Sequence, residues 1–181
     1  MQPLLVAALG LLLVSLRVET GGFDATPDPL GWALVVLAVA RLPRGLPHRT
    51  AVLALAALAG TTSLALVLPG TTSRLAADPA LAWAASLPAL AATGTLLHSL
   101  TTASRDAGDP AAAGWLGSLR TLTVAVAVLP AVVLGAGVGA LAGPTAGLAQ
   151  LAAIGTVAVL LVYAGRPWAR RGAAPGRTTP V

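Results

Sequence analysis

Long apolar runs dominate the chain, and short stretches rich in proline, glycine and arginine separate them. The runs are apolar throughout and do not alternate with polar residues, so they predict helices that are apolar on all sides. We count six such segments, at about Pro3 to Val18, Pro29 to Leu42, Thr50 to Leu68, Pro79 to Leu100, Leu119 to Leu141 and Pro144 to Ala164. The pattern predicts an all-α protein, a polytopic membrane bundle of about six transmembrane helices.

The lengths of these segments differ. A helix needs about 20 residues to cross about 30 Å of hydrocarbon. The last four segments meet this length, the first is slightly short, and the second, Pro29 to Leu42, is clearly short. An alternative is that the first two segments form a re-entrant or shallow hairpin, which would reverse the side assigned to every later connection.

The composition supports a membrane location. The chain is 56% hydrophobic and only 9% charged, whereas soluble domains carry about 25% charged residues. Its mean hydropathy is +0.86. We therefore expect a multi-pass protein of the plasma membrane with the lipid bilayer as its first partner. The absence of cysteine excludes disulfides and thiolate metal sites, and we predict no cofactor and no metal.

Arginine supplies all 11 basic residues, and its distribution predicts the orientation. With six spans and cytoplasmic N- and C-termini, nine arginines lie inside: Arg41, Arg44, Arg49, Arg105, Arg120, Arg166, Arg170, Arg171 and Arg177. Only Arg17 and Arg74 lie outside. Because the arginines flank apolar runs and form no patch interleaved with aromatic residues, we predict no nucleic-acid partner.

The same layout predicts a transmembrane domain with a basic tail, and a belt of tryptophans near the span ends. Residues 1–165 form a single transmembrane helical domain, and residues 166–181 form a basic, Pro/Gly-rich cytoplasmic tail that we expect to be disordered. The four tryptophans fall near the predicted span ends and are typical of an interfacial aromatic belt. They are Trp32, Trp83, Trp115 and Trp168.

The pair Asp-Pro occurs three times, at Asp28, Asp78 and Asp109, each before a helical stretch. An aspartate accepts hydrogen bonds from the first backbone N–H groups of a helix, and proline suits the first helical position. We therefore interpret all three aspartates first as N-caps.

Asp24 does not precede a proline, so the N-cap interpretation does not explain it. The loop around Asp24 is therefore a candidate functional site. Because the second segment is short, the loop would have to dip into the protein, where carboxylates are functional candidates. Arg17, Glu19, Asp24 and Asp28 would then form an outward-facing polar loop that binds a cation or relays protons. The alternative is an Asx-turn or a pair between Asp24 and Arg17.

Other candidates lie inside the spans. His98 could serve a proton relay or be an interfacial side chain, and Gln150 is expected to bond a neighbouring helix. Gly135, Gly139 and Gly143 form a small-residue spacing that favours close helix packing, within one molecule or in a homo-oligomer.

One stretch carries a resemblance. The loop with Gly22, Asp24, Pro27, Asp28 and the pair Gly31-Trp32 resembles a group of small, uncharacterised bacterial multi-pass membrane proteins with a Gly-x-Asp…Pro-Asp-x-x-Gly-aromatic motif between their first two spans. The resemblance covers about the first 42 residues. It implies a class of membrane protein and no mechanism.

Three functions remain in order of preference. The first is a structural or accessory membrane component without enzymatic activity, with a membrane protein partner or a second copy. The second is a small transporter or channel that uses Asp24 and Asp28. The third is a membrane enzyme, which is disfavoured because no nucleophile or metal-ligand set accompanies the two acids.

Overall fold

The computed structural model of the chain describes residues 2–16, 19–20, 23–24, 28–66, 70–136 and 142–169. Within them are seven α-helices, one two-stranded hairpin and a closing 3-10 turn at Pro167–Ala169. The helices are α1 (Pro3–Ser15), α2 (Asp28–Arg41), α3 (Arg49–Leu66), α4 (Thr71–Ala77), α5 (Pro79–Asp106), α6 (Pro110–Ala136) and α7 (Ala142–Tyr163). The hairpin pairs β1 (Glu19–Thr20) antiparallel with β2 (Phe23–Asp24). The all-α class is therefore confirmed.

Every predicted segment contains a helix, but two helices exceed their predicted bounds. Helix α5 continues to Asp106, and α6 begins at Pro110 rather than near Leu119. Asp109 explains the second difference, because its Oδ1 accepts a hydrogen bond from the Ala112 N–H at 3.1 Å. The seven-residue α4 was not predicted.

The N-cap interpretation holds at two of the three Asp-Pro pairs. Asp78 Oδ1 accepts from the N–H groups of Ala80 and Leu81 at 2.9 and 3.1 Å, and Asp109 caps α6. Asp28 is the first residue of α2. The aspartates thus set where helices begin, as their hydrogen-bonding capacity requires.

The six long helices form a closed ring. Each packs mainly against two others, in the order α1, α2, α3, α5, α6, α7 and back to α1. Consecutive helices run antiparallel, and an even number of members lets the first and last helices also pack antiparallel. We call the end with the α2–α3 and α5–α6 connections the arginine end, and the end with β1, β2 and α4 the hairpin end.

The outer surface of this ring is apolar on every member helix. Large aliphatic or aromatic side chains are exposed on all six, including Leu9, Leu37, Leu58, Leu81, Trp115, Val128, Leu151 and Val162. Three described helices are long and apolar enough to cross a membrane: Arg49–Leu66, Pro79–Asp106 and Pro110–Val133. Pro3–Ser15 and Gly147–Tyr163 are shorter apolar helices. This surface is compatible with a membrane location.

Helices α1 and α2 pack closely at a pair of glycines. A Cβ added to Gly10 would be 2.5 Å from the Gly31 carbonyl oxygen, and one added to Gly31 would be 2.6 Å from that of Gly10. The two backbones therefore touch where neither residue has a side chain. A Cβ at Gly135 would meet no described atom within 4 Å, and Gly139 lies outside the described residues, so the close packing expected at Gly135, Gly139 and Gly143 stays a prediction.

Candidate functional site

The predicted polar loop is only partly described. The hairpin sets the backbone of Glu19 opposite that of Asp24, and Asp28 is half-buried at the start of α2. Arg17 lies outside the described residues, as do the side chains of Glu19 and Asp24. The structure therefore brings Glu19 and Asp24 together along the backbone, and the role of this loop stays a prediction.

His98 belongs to a polar cluster at the arginine end. The Arg120 Nη1 group donates to His98 Nδ1 at 3.1 Å. Because a guanidinium can only donate, Nδ1 accepts and the imidazole proton lies on Nε2. The ring of His48, in the connection before α3, stacks on that of His98 with centroids 5.3 Å apart. The cluster joins α3, α5 and α6.

Arg49 fixes the connection that carries His48. Its Nε donates to the Val39 carbonyl at 3.3 Å, and its Nη2 donates to the Ala40 carbonyl at 2.9 Å. A cation is favoured at the C-terminus of a helix, where carbonyl groups lack partners. Arg49 therefore ties the start of α3 to the end of α2. His48 itself has a φ of 54°, which is unusual for a residue with a side chain.

Asp109 forms a second polar cluster, in the α5–α6 connection. Its Oδ2 accepts from Trp168 Nε1 at 3.3 Å and lies 3.4 Å from Arg166 Nε. The Ala112 N–H holds the pKa of Asp109 below its usual value; Trp168 and Arg166 act in the same direction, and partial desolvation opposes them. This carboxylate joins α5–α6 to the chain after α7.

The tail differs from its prediction in its first four residues. Pro167–Ala169 form a 3-10 turn, and Ala169 is only 1% exposed. Arg166 also lies over the ring of Tyr163 at 5.6 Å, a cation–π contact. Residues 166–169 are thus packed on the bundle, and residues 170–181 lie outside the described part.

A cavity of about 120 Å³ lies inside the ring. Its walls come from α1, α2, α5, α6 and α7 and include Leu11, Trp32, Leu90, Val126 and Ala153. The cavity is partly open rather than enclosed, and most of its lining is apolar. His98 is not part of the lining, whereas Thr93 of α5 is.

The hydroxyl groups around the cavity are bonded to their own helices. Thr93, Thr123 and Thr156 donate to the carbonyls of Ala89, Leu119 and Ala152 at 2.7 to 2.9 Å. Ser15 donates to Leu11 in the same way at 2.8 Å. Their hydrogens are therefore used within the helices, and only the acceptor capacity of each hydroxyl oxygen is left for a solute.

The tryptophans and Gln150 deviate from their predictions. Trp115 is 62% exposed, in line with the aromatic belt, but Trp32 is 2% exposed and faces the cavity, so its interpretation as a lipid anchor is wrong. Trp83 Nε1 donates to the Ala127 carbonyl of α6 at 2.9 Å. Gln150 is exposed on α7, and no hydrogen bond to another described helix involves it.

Comparison with known proteins gives no further information. No protein family, curated protein or solved structure matches the chain. The resemblance carried by the Gly22 to Trp32 loop therefore stays a prediction. Within the described residues, no group of three or more His, Asp or Glu side chains could hold a metal ion.

Sequence reasoning missed the two clusters at the arginine end and the contact between α1 and α2. His48 and His98 are 50 positions apart, and no local pattern connects them. Gly10 and Gly31 stand singly on neighbouring segments, whereas the repeated glycine spacing in the sequence begins at Gly135. The one available signal was the Asp109-Pro110 pair, whose cap also positions Trp168 and Arg166.

Proposed function

We propose that this chain is a six-span integral membrane protein of the plasma membrane that acts as a structural or accessory component without enzymatic activity. The observation that carries the proposal is the closed ring with an apolar surface on all six members. Monomeric soluble proteins rarely expose apolar patches of this extent. Lipid is the environment that this surface fits.

The lengths of α3 and α5 support the placement of the ring in the bilayer, whereas α1 and α2, with 13 and 14 residues, are shorter than a full span. The 28 residues of α5 rise roughly 42 Å, about 12 Å more than the hydrocarbon core. If Pro79 lies at the outer boundary, His98 lies near the inner one, and the α5–α6 connection projects into the cytoplasm. The 18 residues of α3 begin at Arg49, at the same level as His98.

The interior favours an accessory role over transport. The cavity walls are mostly apolar, and the hydroxyls that line it are bonded to backbone carbonyls. A proton or cation path needs polar groups that can exchange partners along its length. The transporter alternative therefore rests on the loop of Asp24 and Asp28.

The orientation can be tested directly, because the chain has no native cysteine. Ser73→Cys lies on α4 at the hairpin end, and Ala107→Cys lies in the α5–α6 connection; both positions are exposed. With an impermeant maleimide, we expect Ser73→Cys to react in intact cells and Ala107→Cys to react only after the cells are opened. Labelling of Ala107→Cys in intact cells would overturn the orientation.

A second experiment separates the accessory role from transport. Purified protein in liposomes should carry no proton or cation flux above that of empty vesicles. In native membranes, a photo-crosslinking residue at Leu151, which faces outward, should give one discrete adduct of higher mass. A flux that Asp24→Asn or Asp28→Asn abolishes would favour the transporter instead.

A further inference from the structure

We infer that the arginine end holds a binding site for the phosphate of an anionic phospholipid in the inner leaflet. This inference rests on the proposed placement of the ring in the bilayer. The site is the basic cluster of Arg105 and Arg120 with the imidazoles of His48 and His98, which the accessory role does not use.

Cationic and hydrogen-bond donor groups converge here from α5, α6 and the connection before α3. Arg120 donates to His98, on which His48 stacks. Arg105 lies seven residues after His98, on the same face of α5, and is close enough to act electrostatically on the imidazole. Charges of one sign gathered in this way gain from an anion bound between them.

No described carboxylate pairs with the arginines of the cluster. Within the described residues, the ion pair at this end joins Arg166 to Asp109, and no ion pair involves Arg105 or Arg120, although the exposed Asp106 follows Arg105 directly. A guanidinium has five N–H donors, of which Arg120 uses one on His98. The remaining donors and the His98 Nε2–H suit the oxygens of a phosphate.

The depth of the cluster in the membrane follows from the positions of His98 and Arg120 along their helices. His98 lies eight residues before the end of α5, and Arg120 ten residues after the start of α6. By helix rise, both lie roughly 12 to 15 Å from the tip of the α5–α6 connection. This level coincides with the start of α3, where the headgroups of the inner leaflet would be. Basic pockets between helices at this level are suited to anionic headgroups.

The cluster is also accessible from the side of the ring. His48, Arg105 and Arg120 are exposed, and His98 is partly exposed. None of them lines the internal cavity. A lipid can therefore reach the cluster by diffusing within the leaflet, with its acyl chains along the apolar outer surface of α5 and α6.

The test uses the full-length protein in a neutral detergent, so that its outcome does not depend on orientation. Short-chain phosphatidylglycerol, phosphatidylcholine and inorganic phosphate are titrated separately, and the thermal midpoint is recorded. We expect a saturable rise with phosphatidylglycerol and none with the other two. An equal rise with inorganic phosphate would overturn the assignment to a lipid headgroup.

The variants locate the site. Arg120→Gln should weaken phosphatidylglycerol binding about 10-fold or more, since it removes a charge-assisted contact, and Arg120→Lys should weaken it less. Arg74→Gln on α4 at the opposite end is the matched control and should bind like wild type. The thermal midpoint in phosphatidylcholine alone shows whether Arg120→Gln is folded. Arg105→Gln is a second variant, because Arg105 is exposed. Wild-type binding by both Arg120→Gln and Arg105→Gln would refute the site.

Discussion

Helix α5 passes through two different environments. Between Ala92 and Ser104 it buries seven residues, whereas between Pro79 and Ala91 it buries none. The buried half is the more polar one, because Ala92 to Ser104 holds four threonines, two serines and a histidine, whereas Pro79 to Ala91 holds six alanines and three leucines. The difference shows that an apolar sequence does not by itself fix packing density; the neighbours of the helix do.

The neighbours differ because helices pack more fully around the interior of the ring at the arginine end than at the hairpin end. Around the arginine half, α5 packs against α3, α6 and the 3-10 turn, and the interior reaches full burial at Leu97 and Leu100. Toward the hairpin end, α1 and α2 contribute only 13 and 14 residues. Pro88 also interrupts the hydrogen bonds of α5 there, and the cavity lies alongside.

The largest expected effect comes from truncating a leucine in the two halves of α5. Leu97→Ala removes a side chain that is 0% exposed and should cost about 2 to 5 kcal/mol, through lost contacts and a new cavity. Leu90→Ala enlarges an existing cavity and should cost less. Reversible unfolding in mixed micelles would measure both, and equal losses would remove the distinction between the halves.

The contact between α1 and α2 at Gly10 and Gly31 is an exception to this difference, because it is tightly packed although it lies toward the hairpin end. Gly31→Ala places a Cβ 2.6 Å from the Gly10 carbonyl oxygen and should cost about 1 to 3 kcal/mol by overpacking. Gly135→Ala, which meets no described atom within 4 Å, is the matched control. The same unfolding assay applies, and two equally stable variants would contradict the backbone contact.

Added volume should have opposite effects in the two halves. Ala153→Leu fills part of the cavity and should stabilise the protein by about 0.5 to 2 kcal/mol. Ala112→Leu enlarges a residue that is 0% exposed near the arginine end and should destabilise it by about 1 to 3 kcal/mol. Thermal midpoints in one detergent compare them directly; a loss with Ala153→Leu would indicate that the cavity cannot accept a side chain.

The smallest expected effect is the pH dependence of stability that Asp109 causes at the arginine end. The pKa of Asp109 is lower when folded than its ordinary 3.8, so its carboxylate stabilises the fold above that value, and the contribution is lost as pH falls from about 5. Asp109→Asn keeps a capping side chain but no charge. Wild type should therefore lose more stability than Asp109→Asn on acidification. Parallel curves for the two proteins would show that the ionised Asp109 carboxylate, with its contacts to Ala112, Trp168 and Arg166, does not stabilise the fold.

The sequence predicted what depends on neighbouring residues. The six helical segments follow from local hydropathy, and the caps at Asp78 and Asp109 follow from adjacent aspartate and proline. The start of α6 at Pro110 could have been read from that pair as well, but the apolar run that begins near Leu119 pointed to a later start.

The remaining features depend on residues that are distant in the chain. The stack of His48 on His98, the contact of Gly10 with Gly31 and the burial of Trp32 all require knowing which helices are neighbours in the ring. Hydropathy does not encode this order, because each helix is apolar on all sides and could accept several partners. The candidate polar loop was chosen for its composition, and its side chains lie mostly outside the described residues.

The closed ring also has a consequence for biogenesis. Helix α1 is synthesised first, yet one of its two partners in the ring is α7, which follows about 130 residues later. At an elongation rate of roughly 5 to 20 residues per second, α1 waits roughly 6 to 26 seconds with one face unpaired. The two contacts of α7, with α6 and with α1, are thus the last of the ring that can form during synthesis, and a nascent chain stalled before α7 has two open edges, on α1 and on α6.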